Sequence, residues 1–339
     1  MINIADSLFF VSLWCVILKD LPKIEKRMKK LLPKWTEFTH KEVSADEARE
    51  VFKDNPYKLE LINKFAEEVV HKIMPNAKVE KGMNIKYKCE YYEKVSLPIE
   101  DRAWPLREQG VYLVTGGNGG IGATIARYLA QVCDAHVIIV SRKAEDQSLS
   151  SHAHNITYLS VDVTDLGRLT DLVEGALHAL NPNKLHLNGI FHCAGSADGG
   201  LIQMRYKQQS TEVFAAKLQG SDNLGQIADQ YHCDFIFNCS SLSAWIGPVG
   251  QVAYCPANNY QQAIADSGRF STPTITVAWD AWRQVGMAVD SLAKQGLSND
   301  VIEHGITPEE GIRVVIAALN SGLTNILVST RSLDSIKNI

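Results

Sequence analysis

Short apolar segments alternate with longer segments of helical periodicity from Gly110 onwards. Strands that are apolar throughout are typical of a parallel sheet buried on both faces, because each crossover between parallel strands lays a helix over the sheet. The pattern predicts an α/β fold with a doubly wound parallel sheet, in which ligands bind at the carboxyl ends of the strands. The predicted strands are residues 111–115, 136–140, 156–160, 189–192, 235–237 and 274–277.

The first 80 residues lack this alternation and predict a smaller, mostly helical N-terminal region. Three prolines separate the candidate helices, and Ser44 to Glu47 form a capping-box pattern. The run from Lys19 to Lys34 contains seven basic and two acidic residues, and is either a solvated helix face or a docking surface for an acidic partner. We therefore divide the chain into residues 1–80, with a docking or reduced structural role, an edge strand and linker (81–109), and the α/β domain (110–339).

The composition excludes several other functions. With 34 basic and 38 acidic residues, the net charge of −4 disfavours nucleic-acid binding, which depends on Lys and Arg neutralising phosphates. The longest apolar run, Leu8 to Leu18, falls short of the roughly 20 residues that cross a bilayer. Seven cysteines without any C-x-x-C pair favour reduced thiols over disulfides or a metal site. We therefore expect a cytoplasmic protein with no membrane or nucleic-acid partner and no metal.

A glycine-rich sequence, TGGNGGIG, lies between the first predicted strand and its helix. Glycines let a backbone turn tightly and approach a pyrophosphate, and the helix N-terminus offers N–H groups and the positive end of a dipole. This context predicts a Rossmann-type dinucleotide site. The eight residues of the loop are Thr115, Gly116, Gly117, Asn118, Gly119, Gly120, Ile121 and Gly122.

The residue that follows the second strand selects the cofactor. An acid about 20 residues after the loop binds the ribose hydroxyl of NAD, but this position holds Arg142, preceded by Ser141. Because a guanidinium pairs with a 2′-phosphate, Arg142 predicts NADPH. Asp162, after the third strand, either hydrogen-bonds the adenine or caps the helix that begins near Thr164.

Tyr254 is the candidate catalytic acid. In short-chain dehydrogenases this Tyr is followed four residues later by a Lys on the same helix face, but position 258 holds Asn258. Lys217, on the preceding predicted helix, is the candidate replacement.

The sequence from Ser240 to Asn258 resembles the ketoreductase domains of modular polyketide synthases, which are short-chain dehydrogenase relatives with Lys and Asn exchanged. The spacing of Lys217, Ser241 and Tyr254 also matches that family. His192-Cys193-Ala194-Gly195 is similar to its strand-four sequence, and residues 307–311 are similar to its closing helix. The resemblance covers about residues 86–333, and it identifies residues 110–339 as an NADPH-binding ketoreductase domain.

The resemblance implies reduction of a β-ketoacyl thioester to the β-hydroxyacyl thioester in polyketide biosynthesis. Tyr254 then serves as general acid, Lys217 lowers its pKa and binds the nicotinamide ribose, Ser241 bonds the ketone oxygen, and Asn258 holds a water relay. The partners implied are an acyl carrier protein bearing a phosphopantetheine-linked chain, and other synthase modules. The expected cofactor contacts outside the loop are Ser141, Arg142, Asp162, Val163, Ala194 and Gly195.

Departures from the family leave the product configuration open. Ala197-Asp198-Gly199 replaces the L-D-D triplet, and Ile246 stands where the alternative fingerprint has Trp. Trp282 and Met287 fall in the predicted substrate lid, either as substrate contacts or as lid packing. Two other functions stay open: a short-chain reductase of a free small carbonyl compound, and a catalytically silent synthase scaffold module.

Overall fold

The structure is a computed structural model that describes most of the α/β domain. The described residues are 94–95, 97, 105–142, 154–183, 185–200, 205–248, 250–287, 289 and 305–332. The predictions for residues 1–80, including the basic run and the capping-box pattern, and the edge strand predicted at residues 86–92 lie outside them.

One sheet of parallel strands organises the described residues, in the order β3-β2-β1-β4-β5-β6-β7. The predicted α/β fold with a Rossmann-type parallel sheet is confirmed. The fifth strand starts one residue later and ends four residues later than predicted, and a seventh strand joins the edge that the sequence left open. The strands are β1 Val111–Thr115, β2 His136–Ser141, β3 Ile156–Ser160, β4 Gly189–His192, β5 Ile236–Ser241, β6 Thr274–Trp279 and β7 Asn325–Val328.

Helices cover both faces of the sheet. Side chains alternate along a strand, so Tyr112 and Val114 join one apolar cluster while Leu113 joins another. No helix of the described residues is long and apolar enough to cross a membrane. The helices are α1 Gly120–Val132, α2 Leu166–Leu180, α3 Lys207–Lys217, α4 Gln219–Gln230, α5 Ser243–Ile246, α6 Tyr254–Ser267 and α7 Pro308–Ser321.

The strand order reverses between β1 and β4, which creates a crevice at their carboxyl ends. β1 and β4 pair in register, with Thr115 opposite His192. The turn after β1 and the turn after β4 therefore lie side by side. This places the glycine loop next to Ala194, as a dinucleotide site requires.

Candidate active site

The predicted site residues gather at the carboxyl edge of the sheet. The glycine loop joins β1 to α1, Ser141 ends β2, and Ser241 ends β5. Lys217 is the last residue of α3, and Tyr254 is the first residue of α6. Segments far apart in sequence thus converge on one crevice, and among the described residues no group of His, Cys, Asp and Glu side chains there could hold a metal ion.

The glycine loop packs so closely against its neighbours that three of its positions have no room for a side chain. Gly116 has φ +68°, a conformation that favours glycine, and a Cβ there would lie 2.8 Å from the backbone nitrogen of Ala194. A Cβ on Gly117 would lie 2.6 Å from the Ile139 side chain, and one on Gly122 would overlap the carbonyl of Gly116. The loop therefore permits only glycine at these positions.

The N-terminus of α1 suits an anion. Its N-cap is Gly119, which has no side chain to accept a hydrogen bond, and the first turn contains no acidic residue. The first N–H groups of a helix lack partners within the helix and carry partial positive charge. The loop and the helix together fit the pyrophosphate of a dinucleotide.

Arg142 and Asp162 form the exposed rim of the crevice. Arg142 exposes 69% of its side chain, and its Nη1 lies 3.8 Å from Oδ2 of Asp162. The other carboxylate oxygen of Asp162 accepts hydrogen bonds from the backbone N–H (2.9 Å) and hydroxyl (2.8 Å) of Thr164. The N-cap of α2 is Asp165 rather than Asp162. Asp162 therefore stabilises the turn after β3 and forms an exposed ion pair with Arg142.

Three further predicted cofactor contacts lie at the same edge of the sheet, namely Val163, Ala194 and Gly195. The carbonyl of Val163 accepts a hydrogen bond from Asn223 (2.9 Å), and its side chain is buried. The N–H of Ala194 donates to the Thr115 hydroxyl at 3.3 Å. Cofactor contact by these three residues stays a prediction.

A buried histidine connects the glycine loop to α3. His192 Nδ1 lies 2.7 Å from the hydroxyl of Thr115, and Nε2 lies 3.1 Å from the carbonyl of Ala216. Burial lowers the pKa of His192 to about 3, so the ring is neutral. Because a carbonyl can only accept, Nε2 donates to Ala216 and Nδ1 accepts from Thr115. Sequence analysis missed this link, which ends one residue before Lys217.

Lys217 is buried, with 3% exposure. Its ammonium donates to the carbonyl of Cys239 at 2.7 Å and to Oε1 of Gln261 at 3.0 Å. Burial lowers the pKa of Lys217 to about 8, so the cation predominates at neutral pH. A lysine normally stays in solvent, and a buried ammonium with fixed acceptors indicates a functional or architectural role.

Tyr254 meets Ser241 and Asn258 at the start of α6. Loss of water around the phenol raises the pKa of Tyr254, while hydrogen bonds from Ser241 and Asn258 lower it in part. The sequence-based expectation was a lowering by Lys217, but that ammonium is directed at Cys239 and Gln261. Tyr254 therefore stays protonated at neutral pH, the form that a proton donor requires.

Asn258 lies one helical turn after Tyr254 and is fully buried. Its Nδ2 donates to the carbonyl of Tyr254 at 2.8 Å, while its Oδ1 has no hydrogen-bond partner among the described residues. A buried oxygen with unused acceptor capacity is costly unless something else satisfies it. This oxygen is therefore suited to a water molecule in a proton relay.

The two residues predicted in the lid have different surroundings. Trp282 is 2% exposed and packs edge-on against Trp279, with ring centroids 5.3 Å apart, so it is part of the core. Met287 approaches the site: a Cβ added to Gly195 would lie 3.8 Å from its methyl group and 3.2 Å from Cε of Lys217. Met287 therefore faces the reaction crevice beside the lysine.

Comparisons with known proteins identify the relatives of this chain. The family model described as "KR domain" matches residues 110–284. Polyketide synthase PksN of Bacillus subtilis (strain 168) is 27% identical over 286 residues, covering 77% of this chain and 5% of that protein. Erythronolide synthase EryA3 of Saccharopolyspora erythraea is 27% identical over 248 residues, covering 69% of this chain and 8% of that protein.

A solved structure of A-type ketoreductases from a modular polyketide synthase has the same fold. It superposes with a TM-score of 0.58 at 26% identity, covering 69% of this chain and 49% of that chain. The chain thus matches a small part of these curated relatives and about half of the solved domain.

Proposed function

The chain belongs to the KR domain family, and from that premise we propose that it reduces a β-ketoacyl thioester to the β-hydroxyacyl thioester with NADPH. The substrate is carried on the phosphopantetheine arm of an acyl carrier protein during polyketide biosynthesis. The observations that support the proposal are that Asn258 donates to the carbonyl of Tyr254 at 2.8 Å, and that the buried ammonium of Lys217 donates to the carbonyl of Cys239, two residues before Ser241. Taken singly, each of these side chains has an ordinary structural explanation. Together they would supply a proton donor, a hydrogen-bond donor and a cation at one site.

NADPH would lie along the carboxyl edge of the sheet. The glycine loop and the N-terminus of α1 would hold its pyrophosphate, and Arg142 its 2′-phosphate. When bound, the nicotinamide supplies the hydride that reduces the carbonyl carbon. Asp162, after β3, would hydrogen-bond the adenine.

The chain's own residues supply the proton and stabilise the developing charge. Tyr254 donates its phenolic proton to the carbonyl oxygen as negative charge grows there. Ser241 donates a hydrogen bond to the same oxygen, which lowers the energy of the transition state. The interaction of Ser241 with the phenol supports this role, because it lowers the pKa of Tyr254 that burial raises.

Lys217 and Asn258 act behind the phenol. An ammonium has three N–H donors, and Cys239 and Gln261 accept two of them, leaving one for the nicotinamide ribose. With its ammonium held by Cys239 and Gln261, Lys217 would serve the reaction by binding that ribose. Oδ1 of Asn258 holds the water that returns a proton to Tyr254.

The named relatives support the carrier-bound substrate, because they are polyketide synthases. In that setting the other synthase modules are further partners. The seven cysteines of the sequence include no C-x-x-C pair, which favours a reducing compartment, so we place the reaction in the cytoplasm.

The test is NADPH consumption with two forms of one β-ketoacyl chain. One form is attached to a carrier protein, the other to a short pantetheine mimic, and a free β-ketone of similar size serves as control. We expect a β-hydroxyacyl product from both thioesters, a higher kcat/KM on the carrier and little turnover of the free ketone. Faster reduction of the free ketone would replace the proposal with a small-carbonyl reductase, and NADPH binding without any product would favour a scaffold.

A further inference from the structure

A buried ion pair lies in the loop that follows β4, outside the set of catalytic residues. The carboxylate of Asp198 pairs with the guanidinium of Arg205, and their side chains are 2% and 8% exposed. The N–H of Gly199 donates to the same Asp198 oxygen at 2.9 Å, and Nε of Arg205 donates to Ser210 at 2.7 Å. Two buried charges persist in a protein when they are paired and hydrogen-bonded in this way.

The second oxygen of Asp198 binds the start of the catalytic helix. Its Oδ2 accepts the N–H groups of Ala253 and Tyr254, both at 2.9 Å. Ala253 is the N-cap of α6 and has no side chain that can cap the helix. Asp198 therefore supplies, from 55 positions earlier in the chain, the acceptor that a capping side chain normally provides.

The charge of Asp198 suits this position. The N-terminus of a helix carries partial positive charge, and a carboxylate there is stabilised. Arg205 neutralises the remaining charge from the opposite side. Because Tyr254 is the first residue of α6, the hydrogen bond to its backbone fixes the residue that carries the phenol.

A second contact joins the same two loops. Gly250, four residues before Tyr254, has φ +86°, and a Cβ there would lie 3.4 Å from the nitrogen and 3.5 Å from the oxygen of Gly200. The backbone after Asp198 thus packs against the backbone that leads into α6. The loop after β4 and the loop before α6 therefore contact each other at two places, through the Asp198 carboxylate and through Gly200.

We propose that Asp198 is a positioning residue for the reduction, whose carboxylate fixes the start of α6 so that the phenol of Tyr254 stays against Ser241. The inference rests on the proposed function for its kinetic consequence, but the anchoring itself can be measured without turnover.

The experiment compares two double variants that both lack the ion pair. In Asp198→Asn with Arg205→Gln, the amide oxygen still accepts N–H groups from the start of α6, and no unpaired cation is buried. In Asp198→Ala with Arg205→Gln, the acceptor is gone. Asp229→Asn is the matched control, because Asp229 also accepts a backbone N–H, that of Thr272 at 3.3 Å, away from the catalytic residues.

We expect kcat per folded enzyme to fall about 10- to 100-fold in the Ala double variant, because a small displacement of a reacting group has that effect. The KM for NADPH should stay unchanged, and the solvent isotope effect on kcat should rise because proton donation becomes slower. The Asn double variant and the Asp229→Asn control should keep most of the parent kcat. Equal kcat values and isotope effects in the two double variants would overturn the positioning role.

Hydrogen exchange at the amides of residues 253 and 254 gives the readout that does not need a substrate. We expect faster exchange in the Ala double variant than in the Asn double variant. If the parent reduces no ketoacyl thioester, the proposed function fails, and the exchange rates alone decide whether Asp198 anchors the helix. Unchanged exchange in the Ala double variant would overturn the anchoring.

Discussion

The buried catalytic cluster and the exposed cofactor rim serve the proposed reaction in opposite ways. Lys217 and Asn258 are 3% and 0% exposed, and each is held by fixed hydrogen bonds. Arg142 exposes 69% of its side chain and touches Asp162 at 3.8 Å. Burial shifts pKa values and fixes geometry at a cost in stability, whereas an exposed guanidinium acts through a charge that water screens. Substitutions in the cluster should therefore change the chemical step, and those at the rim should change cofactor affinity.

The largest effect should follow Tyr254→Phe, which removes the proton donor and leaves the ring in place. We expect kcat to fall about 10²- to 10⁴-fold, the usual contribution of a general acid, with NADPH affinity unchanged. Tyr260→Phe is the control on the same helix, since its hydroxyl donates to Asp222 at 2.7 Å. Steady-state kinetics measures kcat, and NADPH titration measures cofactor affinity, in both variants. Equal losses of kcat in Tyr254→Phe and Tyr260→Phe would contradict a specific role for the Tyr254 hydroxyl as proton donor.

Lys217→Met should lower kcat about 100-fold, because it removes a fixed positive charge from a site with little water. Lys207→Met, at the exposed start of the same helix, should leave kcat unchanged. If both variants have the same kcat, burial of Lys217 serves the fold alone.

The pH profile tests the same cation in the parent enzyme. The pKa of Lys217 is lowered to about 8, so the ammonium is present below that pH and is lost as pH rises through it. We expect kcat/KM to decrease above about pH 8, well before an ordinary lysine titrates. The hydrogen-bonded thiols of Cys193 and Cys239, 3.4 Å apart, also act on this ammonium, so Cys193→Ser should keep the decrease if Lys217 is responsible. A flat profile up to pH 10 in the parent would contradict this assignment.

At the rim, Arg142→Ala should raise the KM for NADPH about tenfold and leave kcat at saturation unchanged, since one exposed charge-assisted contact contributes about 1.4 kcal/mol. The KM for NADH should not change. Arg168→Ala, at an exposed position in the first turn of α2, is the control. A fall in kcat with unchanged KM would place Arg142 in the chemistry instead.

The smallest effect on catalysis should follow two glycine substitutions that separate packing from chemistry. Gly225→Ala in α4 would overlap the ring of Phe270, so we expect a loss of about 1–3 kcal/mol in the free energy of unfolding. Gly175→Ala in α2 meets no atom within 4 Å, so we expect a gain of about 0.5–1 kcal/mol. Urea denaturation measures both, and kcat per folded enzyme should stay at the parent value. A change in kcat in either glycine variant would mean that residues outside the buried cluster contribute to catalysis.

Much of this arrangement could be predicted from sequence, because it depends on local patterns. The strand periodicity gave six strands, and the glycine spacing placed the loop against α1. β7 was missed because Asn325–Val328 is short, and its burial depends on the neighbouring β6.

The links between distant residues could not be predicted. Asp198 meets Ala253 across 55 positions, and Thr115 meets His192 across 77. No periodicity connects such pairs, and burial of a lysine such as Lys217 depends on packing of α3 that composition does not encode. The sequence thus predicted the reacting groups, whereas the structure was needed to find the residues that hold them.

Transfer of deuterium from NADPH that carries deuterium at both C4 positions to a β-ketoacyl thioester tests the central claim most directly. The account predicts a β-hydroxyacyl thioester that carries the deuterium on the former ketone carbon, formed by the parent and nearly absent with Tyr254→Phe. Bound cofactor with no labelled product from either a carrier-linked or a small thioester would contradict it.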